Sequence, residues 1–152
     1  MARLRCFNLL IATLWVGSLW TVGYLVAPTL FATLADRAQA GTIAGSMFRI
    51  EAWLSLACAV ILLLSLRGSP AMYPDVGQAG RWTPLRLVIA MALCTLIGYF
   101  GLQPFMATLR EAAAGHEMIG DTRLYFGLLH GAASVIYLLQ SLLGMALILK
   151  LR

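Results

Sequence analysis

Residues 124–149 read LYFGLLHGAASVIYLLQSLLGMALIL, a stretch without Asp, Glu, Lys or Arg and with one histidine, His130. A helix rises about 1.5 Å per residue, so a run of this length crosses the roughly 30 Å hydrocarbon core of a bilayer. Working outward from it, three further segments are nearly free of charge: Cys6–Ala35, roughly Met47–Leu66, and Leu87–Leu109. The second is the shortest, because Arg49 and Glu51 stand at its start and only Ala52–Leu66 is uncharged. Its missing length must come from Gly45–Glu51. The expected fold is all-α, an integral membrane four-helix bundle forming one transmembrane domain over residues 1–152, with spans at roughly 7–31, 47–66, 87–109 and 124–149.

Composition supports lipid as part of the solvent. Of 152 residues, 61% are hydrophobic and 11% charged, whereas a small water-soluble domain exposes much surface that so few charges cannot cover. The net charge of +5 does not imply nucleic acid, because the basic residues sit in short flanks between apolar runs and form no continuous face. Cys6, Cys58 and Cys94 occur singly, without CxxC or zinc-ligand spacing, and imply neither a disulfide nor a zinc site. Arg3 and Arg5 before an apolar run, with Ala38-Gln39-Ala40 downstream, imitate a signal peptide. No charge intervenes between Arg5 and Asp36, however, and a signal core is only about 7–15 residues long, so an uncleaved first span is expected.

Basic residues accumulate on the cytoplasmic side of a membrane. Arg3, Arg5, Arg67, Arg81, Arg86, Lys150 and Arg152 fall on one side, and Arg37, Arg49, Arg110 and Arg123 on the other. Both termini and a Gly68–Pro84 loop are therefore expected in the cytoplasm, with Ala35–Gly45 and Arg110–Arg123 as outer loops, and the bacterial inner membrane as the location. An internal repeat also shows. Gly23-Tyr24 followed by Ala32-Thr33-Leu34 recurs as Gly98-Tyr99 followed by Ala107-Thr108-Leu109 at an offset of 75, with Pro28 and Pro104 one position apart in that register. Two parallel helical hairpins, related by an axis along the membrane normal, would produce this pattern.

Ionisable groups are costly inside a bilayer, which makes each one a functional candidate. His130 lies about two turns inside the fourth span, and Ser134, Tyr137 and Ser141 follow at helical spacing as one polar stripe. Glu51, Ser55 and Cys58 form a shorter stripe in the second span. Tyr24, Tyr99 and Gln103 fall at comparable depth. The candidate intramembrane site is thus His130, Glu51, Tyr24, Tyr99, Gln103 and Ser134, with His130 expected to hydrogen-bond Glu51 or Tyr99. The structural alternative stays open: interhelical hydrogen bonds worth about 0.6–2 kcal/mol each also register helices and do nothing else. Thr13, Gly17 and Thr21, and Ser55 and Ala59, repeat every four residues as small faces for helix packing, with Gly98 and Gly101 adding another. Trp15, Trp20, Trp53 and Trp82 read as packing residues or interface anchors. Pro28 and Pro104 either kink their helices or, more simply, end them.

No cofactor, metal or catalytic motif is expected. Met47, Met106, Met118 and His116 are soft donors near the outer surface, but seven methionines in an apolar chain need no copper to account for them. Haem would need axial ligands, and His130 is the sole histidine within a span.

The chain resembles the bacterial membrane family called domain of unknown function 4149, itself similar to the eukaryotic transmembrane protein 205 group. The resemblance is carried by Leu14-Trp15-Val16-Gly17, Tyr24-Leu25-Val26-Ala27-Pro28, Leu30-Phe31, Phe48-Arg49-Ile50-Glu51, Gln103-Pro104 and His130-Gly131 with Ser134. It implies a four-helix inner-membrane protein without an established activity. A more distant similarity, through Trp15-Val16-Gly17 and Pro28-Thr29-Leu30-Phe31, runs to the copper-resistance protein D and HemJ-type oxidase groups. Those groups carry a histidine early in the first helix where this chain has Phe7-Asn8-Leu9, so their haem ligand is not matched. Small-solute or ion permeation or export is the leading functional expectation. A haem- or quinone-linked redox protein, and a helper subunit of a larger membrane complex, are the alternatives. Lipid is the expected surrounding, with a homo-oligomer or a membrane protein as possible partner and no nucleic acid.

Overall fold

The computed structural model describes residues 2–68, 78–112 and 120–152. Among them are four helices long and apolar enough to cross a membrane: Ala2–Thr33, Arg37–Arg67, Thr83–Glu111 and Gly120–Leu151. The first comprises α1 (Ala2–Trp20), a π-helical segment (Thr21–Val26) and α2 (Ala27–Thr33). The second is α3 (Arg37–Gly68). The third comprises α4 (Gln78–Thr95), a second π-helical segment (Leu96–Leu102) and α5 (Gln103–Ala112), and the fourth is α6 (Gly120–Leu151).

Each span packs against its neighbours in sequence, and the first and fourth close the ring. Directions alternate. Asn8 meets Ser65 and Trp15 meets Ser55, while Arg5 reaches Arg152 and Tyr137 reaches Leu19. Both chain ends therefore share one end of the bundle, here termed the terminal end; Asp36 and Arg110 mark the distal end.

The helices outrun the expected spans, most of all the second. The stretch Ala35–Gly45, expected as a loop, is helical from Arg37 onward. The cause is Asp36, whose Oδ1 accepts hydrogen bonds from the backbone N–H groups of Ala38 (2.8 Å) and Gln39 (3.3 Å). An aspartate in this position satisfies the first free donors of a helix and fixes where it starts. The expected outer loop Arg110–Arg123 is likewise helical to Ala112 and again from Gly120, whose φ of 59° suits a residue without a side chain. The expected Gly68–Pro84 loop gives way to α4 at Gln78, and Pro84 sits inside that helix. Asp75, His116, Glu117 and Met118, and the side chains of Arg81 and Trp82, lie outside the described residues.

The packed core sits in the terminal half, where Trp15, Val16, Leu62, Val88, Met91 and Leu147 are buried. Lipid tails are as apolar as leucine, so close contact rather than exclusion from water holds such helices together. Gly144 shows how close the contact is: a Cβ there would stand 2.7 Å from Val16 Cγ2 and 3.2 Å from Met91 Cε. Ser55 and Ala59 are buried as expected of a packing face. The face Thr13–Gly17–Thr21 is not one. All three residues are exposed, Thr13 and Thr21 turn their hydroxyls back onto the carbonyls of Leu9 and Gly17, and a Cβ on Gly17 would meet nothing within 4 Å. Of the tryptophans, Trp15 is buried whereas Trp20 and Trp53 are exposed.

Neither Pro28 nor Pro104 ends its helix. Each lies just after a π-helical segment, and the helix runs on through it to Thr33 or Ala112. A proline lacks the N–H for the i−4 carbonyl and its ring clashes there, so the turn ahead of it is weakened and open to a wider geometry. The C-cap Ala27 N–H accordingly bonds to Val22 O, five residues back. The second π-helical segment begins at Leu96, 75 positions after the first begins at Thr21, and each contains the Gly-Tyr pair.

Candidate functional site

The two widened turns border a cavity of about 390 Å³ in the distal half, lined by residues of all four spans. It extends from Gly41 and Arg110 near the distal end to Thr95 and Gln140 in mid-bundle. All six residues singled out in the sequence, Tyr24, Glu51, Tyr99, Gln103, His130 and Ser134, lie on its wall. They do so in unequal ways.

Glu51 is 6% exposed and belongs to a buried relay. Trp15 Nε1–H donates to Ser55 Oγ at 2.7 Å, and the Ser55 hydroxyl donates to Glu51 Oε1 at 2.7 Å. Glu51 and Ser55 stand one turn apart on α3, so the helix itself aligns them, and the indole from α1 fixes the hydroxyl's direction. No basic side chain forms an ion pair with Glu51 among the described residues. A carboxylate taken out of water costs several kcal/mol unless it is paired, so its environment favours a cationic or hydrogen-donating neighbour.

Tyr137 enters the first π-helical segment. Its hydroxyl donates to the Leu19 carbonyl at 2.6 Å, and the Gly23 backbone N–H lies against the same hydroxyl oxygen. In an α-helix Leu19 O would accept from Gly23 N–H; here a side chain of α6 is inserted between them. Gly23 is required, since a Cβ there would collide with the Tyr137 ring. The ring also packs edge-on against Tyr24 (6.1 Å, 72°) and Phe48 (5.6 Å, 88°). Tyr24 donates its hydroxyl to Ser141 Oγ at 2.9 Å, which ties the same two spans together. The floor is closed by Gln140 Nε2 donating to Thr95 Oγ1 at 2.9 Å.

His130 departs from expectation. It is exposed, and its imidazole makes no hydrogen bond to Glu51, Tyr99 or another span among the described residues. Phe126, one turn earlier on α6, holds the ring parallel to its own at 6.2 Å and 4°. The Arg110 guanidinium covers the Phe126 ring at 5.7 Å and Arg110 Nη1 donates to the Gly41 carbonyl at 3.4 Å. Ser134 spends its hydroxyl on the His130 carbonyl at 2.8 Å, so it contributes little polarity to the cavity. Among the described residues, no three His, Cys, Asp or Glu side chains are grouped to hold a metal ion.

A family model described as a domain of unknown function, DUF4149, matches residues 10–115. The chain belongs to this family. The match runs through the first three spans and so includes Trp15, Tyr24, Glu51, Tyr99, Gln103 and Arg110. His130, Ser134, Tyr137 and Gln140 of the fourth span lie beyond it. No curated protein and no solved structure matches the chain. The likenesses to the transmembrane protein 205, copper-resistance and HemJ groups therefore rest on sequence motifs alone.

Sequence reasoning misses Arg110 and Phe48 as cavity residues and gives Tyr137 only a place in a stripe. Arg110 reads there as a topology charge at a loop. A signal is present in Gly41 and Gly45, four apart on α3, which turn a face without side chains toward Arg110 and Gln103.

Proposed function

We propose that this DUF4149 protein is a carrier that binds a small solute in the distal cavity, with a cationic or hydrogen-donating group of the solute against Glu51. One observation carries the reading: a buried carboxylate without an ion-pair partner among the described residues lines a cavity large enough for a small organic molecule. An open channel is the weaker form of the idea, because Trp15, Leu62, Val88 and Met91 fill the bundle below Glu51. Movement of solute then requires the terminal half to part, as in alternating access. Both termini are assigned to the cytoplasm on the seven-to-four distribution of basic residues, which places the cavity toward the outer face of a bacterial inner membrane. The two hairpins are read as a duplicated parallel unit, supported by π-helical segments at the same offset as the Gly-Tyr repeat.

The test uses tetraphenylphosphonium and tetraphenylborate, a cation and an anion of nearly equal shape, titrated calorimetrically into the purified protein in detergent. The cation should bind, the anion should not, and Glu51→Gln should weaken the cation about tenfold or more, as expected for loss of a charged partner. Glu51→Gln keeps an acceptor for Ser55, so the fold should survive it. Equal binding of both ions, or unchanged binding by Glu51→Gln, overturns the reading. Maleimide labelling of Asp75→Cys from outside intact cells would reverse the orientation.

The helper-subunit or homo-oligomer reading has an observation of its own. Gly127 and Gly131 on α6, like Gly17 on α1, face outward, and a Cβ added to any of the three would meet nothing within 4 Å. Such small faces let another helix approach closely. Mass measurement of the detergent-solubilised complex decides it: a stoichiometric second chain favours this reading and a monomer rejects it. A Soret band in the purified protein would instead revive the haem alternative.

A further inference from the structure

Beside the cavity, and sharing Tyr99, Gln103 and Arg110 with its wall, the second and third spans enclose a groove of about 520 Å³ that also carries Arg49, Glu111, Thr42 and Ser46. We propose that this groove holds the headgroup of a zwitterionic phospholipid with a primary ammonium, its phosphate between Arg49 and Arg110 and its ammonium at Glu111. Arg49 and Glu111 line the groove and not the cavity, and Glu51 lines the cavity and not the groove, so substitutions at these residues test the two sites separately.

Depth places both arginines among lipid headgroups. The α3 helix has 32 residues, about 48 Å at 1.5 Å per residue, against roughly 30 Å of hydrocarbon. With Arg67 anchored at the terminal surface, about 20 residues of α3 cross the apolar layer, which brings the opposite boundary near Met47. Arg49 is within a turn of that level. On the third span Arg86 and Arg110 bracket the apolar stretch in the same way, so both guanidinium groups lie where phospholipid phosphates lie.

Charge selects the headgroup. Arg49 is exposed and forms no hydrogen bond or ion pair among the described residues, nor does Glu111. Among the described residues Arg110 has the Phe126 ring and a 3.4 Å hydrogen bond to Gly41 as its interactions. Two guanidinium groups from different spans with unspent donors suit a phosphate, which accepts several charge-assisted hydrogen bonds. The carboxylate beside them disfavours a purely anionic headgroup and suits an ammonium.

The surface below the groove is aromatic. Trp53 is one turn from Arg49 toward mid-bundle, is 60% exposed, and packs edge-on against Phe100 at 5.7 Å. Phe100 is itself part of the groove wall and packs against Tyr99 at 5.1 Å. At the depth argued above, this exposed strip falls on the hydrocarbon side of the two arginines that line the groove. A soluble phosphate would use the arginines alone, whereas a lipid uses both.

Native mass spectrometry of the delipidated, detergent-purified protein tests the assignment, with phosphatidylethanolamine, phosphatidylglycerol, diacylglycerol and inorganic phosphate as separate probes. Phosphatidylethanolamine should bind, diacylglycerol and inorganic phosphate should not, and Arg49→Gln or Arg110→Gln should weaken binding about tenfold. Arg37→Gln and Arg123→Gln, at the same end of the bundle but outside the groove, should leave it unchanged. Glu111→Gln should remove the preference over phosphatidylglycerol. Arg49 has no partner to lose among the described residues, so Arg49→Gln separates loss of the lipid from loss of the fold. Equal binding of diacylglycerol, saturable binding of inorganic phosphate alone, or equal losses from the Arg37 and Arg123 variants overturns the proposal.

Discussion

The two halves of the bundle are made of the same four helices and solve different problems. In the terminal half, Gly144 admits Val16 and Met91 to van der Waals contact and the axis is filled by Trp15, Leu62 and Leu147. In the distal half the helices keep their neighbours but leave about 390 Å³ between them. What changes is the backbone. Two π-helical segments, each followed by a proline, widen the first and third spans at the level where the cavity begins, and the second and fourth stay regular. The difference teaches that a cavity in a membrane bundle can be produced by turn geometry without longer side chains or wider helix spacing along the whole span.

The largest expected effect separates the halves directly. Trp15→Ala should cost about 3–5 kcal/mol in reversible unfolding in detergent, by loss of packing and of the donor to Ser55. Phe31→Ala, an aromatic truncation on the distal wall where the ring is 48% exposed, should cost less than about 1 kcal/mol. Equal costs would break the comparison.

Glycine substitutions sharpen it at smaller amplitude. Gly144→Ala should destabilise by about 1–3 kcal/mol through overpacking against Val16. Gly17→Ala, with open space around it, should stabilise by up to about 1 kcal/mol through helix propensity. Opposite signs in the same unfolding assay are the expected result.

Gly23→Ala should also destabilise by about 1–3 kcal/mol because its methyl meets the Tyr137 ring. Tyr137→Leu should relieve much of that cost, and a double-mutant cycle should give a coupling of about 1 kcal/mol or more. Additive costs would mean that the first π-helical segment does not depend on the tyrosine. The smallest effect is at His130. Exposed and without a side-chain hydrogen bond among the described residues, it should tolerate His130→Ala within about 0.5 kcal/mol. A larger loss of stability would show that the stack with Phe126 holds the distal half together.

The spans are legible in the sequence because charge-free runs of this length have few other uses, and the six candidate residues are legible because polar groups in such runs are rare. Helix ends are not. Gly41 and Thr42, within Ala35–Gly45, look like a loop, and only Asp36 as a cap shows that α3 is already under way there. The prolines mislead for a related reason: propensity says where a helix is weakened, while the answer to that weakness, a wider turn, depends on a side chain from another span. Arg110 is hidden by its position in a basic flank, where charge is ordinarily a matter of topology. His130 draws attention by its chemistry, but its ring stacks on Phe126, one turn earlier on the same helix, and Phe126 is covered by Arg110 of another span, a contact that sequence spacing does not reveal.

The hydroxyl of Tyr137 between Leu19 and Gly23 bears on the order of assembly. The first span is synthesised long before Tyr137, so the Leu19 carbonyl waits for the last span to complete its pairing. An isolated first span has every reason to close that turn with its own Gly23 N–H, as an ordinary α-helix does. The widened turn, and with it the cavity wall, is then acquired only when the fourth helix docks, which makes the C-terminal span the final step of maturation for the N-terminal one.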